Sequence, residues 1–282
     1  MGPERVKWVI DRYQLDRAPP TGRPNLAGAL ELHGNECFIA SNDPLKPVPD
    51  GLPEWQDEPV VVYGSIQFVT KVMRARAGAW QPGAYLRKEN LSYSAYSPYI
   101  GDVMLNDDFV ILPYGEFKRR GPSTWGKEIF VRPDAVTKSF TGFVVKAEDF
   151  GHETNSLERL AHVRPEDLVV IARPKPILGE FRFVIADRKV VTGSAYSWDL
   201  RLDVRSDVDP MCWQLAENVA GREWQPDRVY TCDVALTEIG GRRVPRVLEL
   251  NAFSCSGLYA CDTSEIARSV SSAALREWSG DD

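Results

Sequence analysis

The sequence has few cysteines and histidines, and it lacks the short motifs that pair them. Five cysteines, at positions 37, 212, 232, 255 and 261, and three histidines stand in 282 residues, with no Cys-x-x-Cys pair among them. Structural zinc and haem sites are commonly built from such pairs, so the sequence argues against both. Scattered thiols fit a reducing compartment, and we interpret Cys255 and Cys261, the closest pair, as structural residues.

Long apolar runs and blocks of basic residues are missing as well. No stretch approaches the ~20 apolar residues of a membrane span, and the residues after Met1 do not resemble the apolar part of a secretory signal. The net charge is −6. Without a lysine or arginine block, the chain does not have the pattern of a broad nucleic-acid binder, although a local basic cleft stays open. We expect a cytoplasmic protein without a membrane partner.

The composition is that of a globular protein, with 43% hydrophobic and 26% charged residues. Residues 1–104 are predicted to form an N-terminal α/β region, in which a strand at 60–63 is followed by a turn and a helix at 66–76. Strands rich in β-branched and aromatic residues dominate afterwards. We therefore predict an α+β domain over residues 105–282.

Two apolar strands near the C-terminus carry the most informative polar residues. Residues 229–238 and 246–253 read as strands, and Gly240-Gly241 between them predicts a hairpin. The pairing would gather Asp233, Glu249 and Asn251, of which the last two share a face. Oxygen donors of this kind suit Mg²⁺, which in proteins usually accompanies a polyphosphate. Acidic residues on the solvent face of an ordinary hairpin are the alternative, although a carboxylate inside an apolar run is costly without a partner.

Cations occur at two further places. Arg132 and Lys138 flank one short loop and suit a phosphate chain, although a solvated loop would look the same. Lys175 follows a strand at 168–172, and Glu180 and Arg182 share a face of the next strand. By themselves these residues could form a surface ion pair of little energetic weight.

The order of these motifs resembles the ATP-grasp superfamily. The segments that carry the resemblance are Arg132-Pro133, Lys138-Ser-Phe-Thr-Gly142, Val170-Ile-Ala-Arg-Pro174, Glu180-Phe-Arg-Phe183, Asp233-Val-Ala235 and Leu248-Glu-Leu-Asn251. It covers about residues 125–260, and it looks closest to the branch that has an Arg and Lys residues in place of paired Lys, whose substrate is unknown. The resemblance implies an ATP-grasp fold, an α+β architecture in which two lobes hold ATP between them.

The same resemblance implies roles for individual residues. The phosphate-binding and catalytic positions would be Arg132, Lys138 and Arg182. Further contacts to ATP would come from Ile171, Ala172, Arg173, Lys175 and Glu180. The Mg²⁺ ligands would be Asp233, Glu249 and Asn251. Candidates for the substrate pocket are Tyr196, Trp198, Ser254, Ser256 and Tyr259, with a plain strand-to-helix turn as the alternative for the segment after the metal strands.

The implied activity is an ATP- and Mg²⁺-dependent carboxylate–amine ligase that forms an amide or peptide bond through an acyl phosphate and releases ADP and phosphate. Its partners would be small-molecule or peptide carboxylates and amines. One alternative is an ATP-dependent kinase or a nucleic-acid-end ligase, which is favoured if Lys71, Arg74, Arg76, Arg87 and Lys88 form one basic stripe. Another is a non-catalytic nucleotide-binding protein, although the joint retention of the candidate site residues speaks against it.

Overall fold

The computed structural model describes residues 5–16, 22–137 and 139–281. The strands in this part of the chain are β1 (Lys7–Asp11), β2 (Glu36–Ala40), β3 (Glu58–Tyr63), β4 (Trp80–Gly83), β5 (Val110–Pro113), β6 (Glu128–Pro133), β7 (Phe143–Lys146), β8 (Leu168–Ala172), β9 (Gly179–Ala186), β10 (Lys189–Trp198), β11 (Arg201–Arg205), β12 (Val229–Ile239) and β13 (Arg242–Ala252). The α-helices are α1 (Arg12–Asp16), α2 (Leu26–Leu32), α3 (Ile66–Ala75), α4 (Tyr93–Ile100), α5 (Tyr114–Arg120), α6 (Pro122–Trp125), α7 (Phe150–Leu160), α8 (Pro210–Gly221) and α9 (Thr263–Ser279). None of these helices is long and apolar enough to cross a membrane.

The chain forms two compact units. Unit 1 combines Met1–Arg87 with Ile177–Asp282, and unit 2 is the continuous segment Lys88–Pro176. The boundary that we predict near residue 105 concerns the family domain and stays a prediction. The compact units have other limits because the chain leaves unit 1 after Arg87 and returns to it at Ile177.

A parallel sheet with the strand order β2-β1-β3-β4 begins unit 1. The strand predicted at 60–63 and the helix predicted from residue 66 are confirmed as β3 and α3. Gly64 joins them at a close approach, since a Cβ there would lie 2.5 Å from the Cβ of Asp11. Ser65 caps α3 by accepting the amide of Phe68, and its own amide donates to Asp11. The turn thus serves as a helix cap.

The second sheet of unit 1 is antiparallel, with the order β11-β10-β9-β12-β13. The predicted hairpin is confirmed, and Gly240 and Gly241 have the positive φ angles of 58° and 74° that its turn requires. The strand β13 starts at Arg242, so the connection is shorter than the seven-residue link that the sequence indicated. The register pairs Asp233 with Glu249 across the hairpin.

Unit 2 contains an antiparallel sheet with the order β5-β8-β6-β7. Its core joins buried residues of the sheet to Tyr114 and Phe117 of α5 and to Phe150 and Leu157 of α7. The helix α4 lies in the aromatic segment whose structure the sequence left open, and the predicted helix at 155–162 begins earlier, at Phe150.

Asp227 is a buried acid of unit 1 with a strongly shifted pKa. Its side chain is 2% exposed, and it accepts the backbone amides of Arg87 and Arg228 at 3.2 and 2.8 Å. Burial raises the pKa of this carboxyl to about 7, and nearby Glu277 adds to the shift, while the charge of Arg87 opposes it. The folded protein therefore holds a proton that the unfolded chain releases at much lower pH.

We expect Asp227 to make the stability of the protein depend on pH. The folded carboxyl keeps its proton up to about pH 7 and the unfolded one loses it near 3.8, so the Asp227 contribution to the free energy of unfolding falls as pH rises through this window. The stability difference between wild type and Asp227→Asn should fall by about 2–3 kcal/mol between pH 5 and pH 8. Urea unfolding followed by circular dichroism measures it, with exposed Asp50→Asn as the control. A difference that does not change with pH would contradict this assignment.

Candidate functional site

Arg182, Asp233 and Glu249 lie in one row across three neighbouring strands of unit 1. The register pairs Arg182 on β9 with Asp233 on β12, and Asp233 with Glu249 on β13. The guanidinium donates through Nε and Nη2 to the two carboxylate oxygens of Asp233, at 2.8 and 2.6 Å. Arg182 is 8% exposed and Asp233 1% exposed. The row therefore contains a two-pronged buried ion pair.

Asn251 connects the two acids of this row. Its Nδ2 donates to Asp233 Oδ2 at 3.2 Å and to Glu249 Oε1 at 2.9 Å. Because the amide nitrogen is used in this way, the amide oxygen is the atom that Asn251 can offer to a cation. Among residues 5–16, 22–137 and 139–281, no group of three or more His, Cys, Asp and Glu side chains could hold a metal ion. The predicted donor set depends on this amide, and two carboxylates with an amide oxygen fit Mg²⁺ chemically.

The Arg182 side chain is fixed on several sides. Its Nη1 donates to the carbonyl of Gly257 at 3.0 Å. Tyr196 and Tyr259 stack in parallel with their ring centroids 4.7 Å apart, and the guanidinium carbon lies 5.6 and 5.1 Å from these centroids. Burial alone would lower the pKa of Arg182, but the charge and hydrogen bonds of Asp233 raise it well above its ordinary value. Arg182 is thus a permanent cation with little conformational freedom.

Glu180 lies two residues before Arg182 and is joined to the tyrosine pair. The hydroxyl of Tyr196 donates to Glu180 Oε2 at 2.7 Å. Burial raises the pKa of Glu180, and the charges of Asp233 and Glu249 raise it further, whereas the bond from Tyr196 lowers it. This carboxyl is therefore electrostatically linked to the row of Arg182, Asp233 and Glu249.

The predicted substrate residues occupy different environments. Ser254 and Ser256 are buried, and their hydroxyls bind the amide of Tyr85 and the carbonyl of Ala252. Both serines thus hold the chain in place after β13. Trp198 packs against Gly179, where a Cβ would lie 2.6 Å from its ring. Tyr196 and Tyr259 alone contact Arg182, and the substrate role of all five residues stays a prediction.

The candidate phosphate-binding residue of unit 2 is Arg132, at the end of β6. It is 7% exposed, and its guanidinium carbon lies 5.4 Å from the ring centroid of Tyr93. Asp134 holds the start of α4 next to it by accepting the amide and hydroxyl of Ser94 at 2.7 and 2.9 Å. Lys138, the second predicted cation, lies outside the described residues.

The predicted adenine-binding segment begins in β8. Ile171 and Ala172 are buried within the sheet, whereas the Arg173 side chain is 88% exposed and lies 3.5 Å from Asp108. Lys175 forms ion pairs with Asp107 and Asp108, both at 3.0 Å. Burial lowers the pKa of Lys175, but these two carboxylates outweigh it, and the net pKa is raised. The nucleotide-binding roles of these residues stay predictions.

Sequence reasoning missed the residues that support the candidate cations. Tyr93 and Asp134 position Arg132, and Asp107 and Asp108 pair with Lys175. The signals in the sequence were weak: tyrosines in a segment without clear periodicity, and two adjacent acids directly before a strand. Only the folded register of β5, β6 and β8 relates them to the cations.

Basic residues near the end of the first chain segment do not form an open stripe in unit 1. The Lys71 ammonium donates to the carbonyl of Asp43 at 2.7 Å, and Arg76 donates to the carbonyls of Leu52 and Pro53 at 2.9 and 3.0 Å. Arg87 pairs with buried Asp227. These contacts tie the cations to their own unit, which removes the feature that would favour a nucleic-acid substrate.

A family model of ATP-grasp domains matches residues 110–269, which is more than half of the chain, so the protein belongs to the ATP-grasp family. Within this family the matching model is family 2 of the arginine–two-lysine clade. The predicted family, the ATP-grasp fold and the enzyme class, an ATP-grasp ligase, are thereby confirmed. No curated protein sequence matches the chain significantly.

Solved structures share the fold at low sequence identity. The D-cycloserine synthetase DcsG has a TM-score of 0.61 and 14% identity, over 95% of this chain and 99% of its own. D-alanyl-alanine synthetase A from Vibrio cholerae has a TM-score of 0.60 and 10% identity, over 99% and 100%. The ATP-grasp ligase PsnB, complexed with precursor peptide PsnA2 and AMPPNP, has a TM-score of 0.52 and 14% identity, over 97% and 98%. At these identities the likeness concerns the fold alone.

Proposed function

We propose that the protein is an ATP- and Mg²⁺-dependent carboxylate–amine ligase that acts through an acyl phosphate and releases ADP and phosphate. The observation that carries the proposal is the row of Arg182, Asp233 and Glu249, joined by Asn251. It combines a fixed cation with donors for a hard metal ion on adjacent strands. Such a combination suits transfer of a phosphoryl group, in which negative charge must be bound as it moves.

The residues of the chain divide this task. Glu249, Asn251 and Asp233 would hold Mg²⁺, which when bound neutralises charge on the phosphate oxygens. Arg182 would bind the transferred phosphoryl group, because its guanidinium is held rigidly by Asp233 and Gly257. Arg132 and Lys138 would bind phosphates, with Ile171, Ala172, Arg173, Lys175 and Glu180 as the remaining predicted contacts to ATP.

The reaction needs no covalent bond to the protein. A carboxylate oxygen of the first substrate attacks the γ-phosphorus, the new O–P bond forms, and the bond to ADP breaks. The amine of the second substrate then attacks the acyl carbon, phosphate leaves, and the nitrogen loses a proton to give the amide. Binding and electrostatic stabilisation are the contributions required of the side chains.

Product analysis tests the proposal directly. Purified protein is incubated with Mg²⁺, ATP and a panel of amino acids and short peptides, and nucleotides and amides are identified by mass spectrometry. We expect ADP, phosphate and an amide, and hydroxylamine added in place of the amine should trap the acyl phosphate as a hydroxamate. Formation of AMP and pyrophosphate would overturn the acyl-phosphate route. A stable phosphorylated product without an amide would favour the kinase alternative.

A further inference from the structure

Unit 1 contains a cavity of about 740 Å³ next to the tyrosine pair. Its wall comes from three parts of the chain: residues 13–15 and 22–26 with Tyr63, residues 202 and 204, and residues 257–263. Sites for small molecules usually have volumes of ~300–1,000 Å³. The cavity is therefore large enough for a molecule well above the size of alanine.

Apolar side chains form much of this wall and one of them is strongly exposed. Leu202 and Val204 alternate with Arg201, Asp203 and Arg205 along β11, so one face of this edge strand is apolar and the other charged. The apolar pair lines the cavity, and Leu202 is 80% exposed. An exposed apolar face at a cavity is typical of a binding surface.

The charge of the wall is one-sided. Among the described residues that line the cavity, Arg23 has the sole permanently charged side chain, and no carboxylate belongs to the lining. Arg23 contacts Asp262 at 3.5 Å and the carbonyl of Ala260 at 3.4 Å, both longer than a strong charge-assisted bond. A guanidinium has five N–H donors and can bind a ligand carboxylate in addition. The cavity thus favours an anion over a cation.

The wall also adjoins the candidate active site. Gly257 and Tyr259 line the cavity, and each contacts Arg182, the first through its carbonyl and the second through its ring. The hydroxyl of Tyr63, another lining residue, donates to the carbonyl of Ser256 at 2.6 Å and holds the start of this segment. A ligand in the cavity would lie directly beside the residues that fix Arg182.

We infer that this cavity binds the carboxylate substrate and that this substrate carries a branched or aromatic apolar group. The inference rests on the proposed ligase function and adds the substrate class. Leu202 and Val204 contact the apolar group, and Arg23 attracts the carboxylate. Small carboxylates such as alanine and cationic amines do not satisfy this wall.

Direct binding without turnover tests the inference. The probe is N-acetylphenylalanine, compared by calorimetry with N-acetylphenylalaninamide, which lacks the charge, and N-acetylalanine, which lacks the apolar group. We expect the probe to bind at least about tenfold more tightly than either comparator. Leu202→Asp should weaken probe binding about tenfold or more. The matched control is Leu200→Asp, because Leu200 is 79% exposed and lies two residues away but outside the cavity.

Arg23→Gln separates charge from apolar contact. It should reduce binding of the probe about tenfold and leave binding of the uncharged amide unchanged. Equal binding of the probe and N-acetylalanine, equal effects of Leu202→Asp and Leu200→Asp, or no measurable binding of the probe would overturn the inference. ATP binding and ADP release are measured on the same samples. If they persist when probe binding fails, the substrate class is wrong while the proposed function stands, and their absence would count against the function itself.

Discussion

ATP turnover by the Glu249→Gln variant is expected to fall by about 100-fold or more. Glutamine has nearly the same shape and can still accept the bond that Asn251 donates to Glu249 Oε1 at 2.9 Å. The substitution removes the negative charge, which a site with few carboxylates needs for Mg²⁺. The loss should therefore appear as a higher Mg²⁺ requirement and a lower rate, with the fold unchanged. Steady-state ADP release over a range of Mg²⁺ concentrations measures both.

The matched control for this variant is Glu238→Gln. Glu238 lies on the same hairpin but is exposed and faces the end of the strand pair. Its replacement should leave the ADP release and the Mg²⁺ dependence unchanged. Thermal denaturation of both variants shows whether the hairpin is intact. Wild-type turnover in a folded Glu249→Gln protein would remove Glu249 from the metal site.

Replacing Asp233 by Asn is expected to lower the free energy of unfolding by about 3–5 kcal/mol. Arg182 is 8% exposed, and Asp233 accepts two of its N–H groups. Without the carboxylate, a buried guanidinium loses its counter-charge, and the asparagine amide places a donor against a donor. Urea unfolding gives the value, and exposed Asp50→Asn, which affects the ion pair with Lys46, should change stability very little.

A double-mutant cycle with Arg182→Met distinguishes the ion pair from a general packing defect. If the pair dominates, the combined variant should be clearly less destabilised than the sum of the single variants, because neither charge then remains alone. Additive effects would contradict the assignment. The cycle also bears on catalysis, since Asp233 is both the partner of Arg182 and a predicted Mg²⁺ ligand. Metal binding at Asp233 must then compete with, or share, the two oxygens that Arg182 uses.

The hairpin and its acids were predictable because their determinants are local. Two apolar strands around Gly240-Gly241 define the turn, and the turn defines which residues face each other. Once the register is known, Asp233 must lie opposite Glu249. The family resemblance then supplied the interpretation of these positions, and the family match confirmed the fold to which they belong.

The partner of Asp233 could not be predicted in the same way. Arg182 meets it because β9 lies beside β12, although the strands are far apart in the chain. Strand order depends on packing of the whole sheet and leaves no short-range signal. The support of Arg132 by Tyr93 and the wall around Arg23 are non-local in the same sense, since each joins segments that only the complete fold brings together.

The division of unit 1 into two chain segments constrains how the protein can form on the ribosome. Trp8 of the first segment donates to Ser271 of α9 at 3.0 Å, and both segments share one core, with Leu30 packed in the same cluster as Ile266 and Val270. Unit 2 is continuous and its residues emerge together. During translation, therefore, the first strands wait without their packing partners until the α9 residues have left the exit tunnel, and unit 2 can complete its own core earlier.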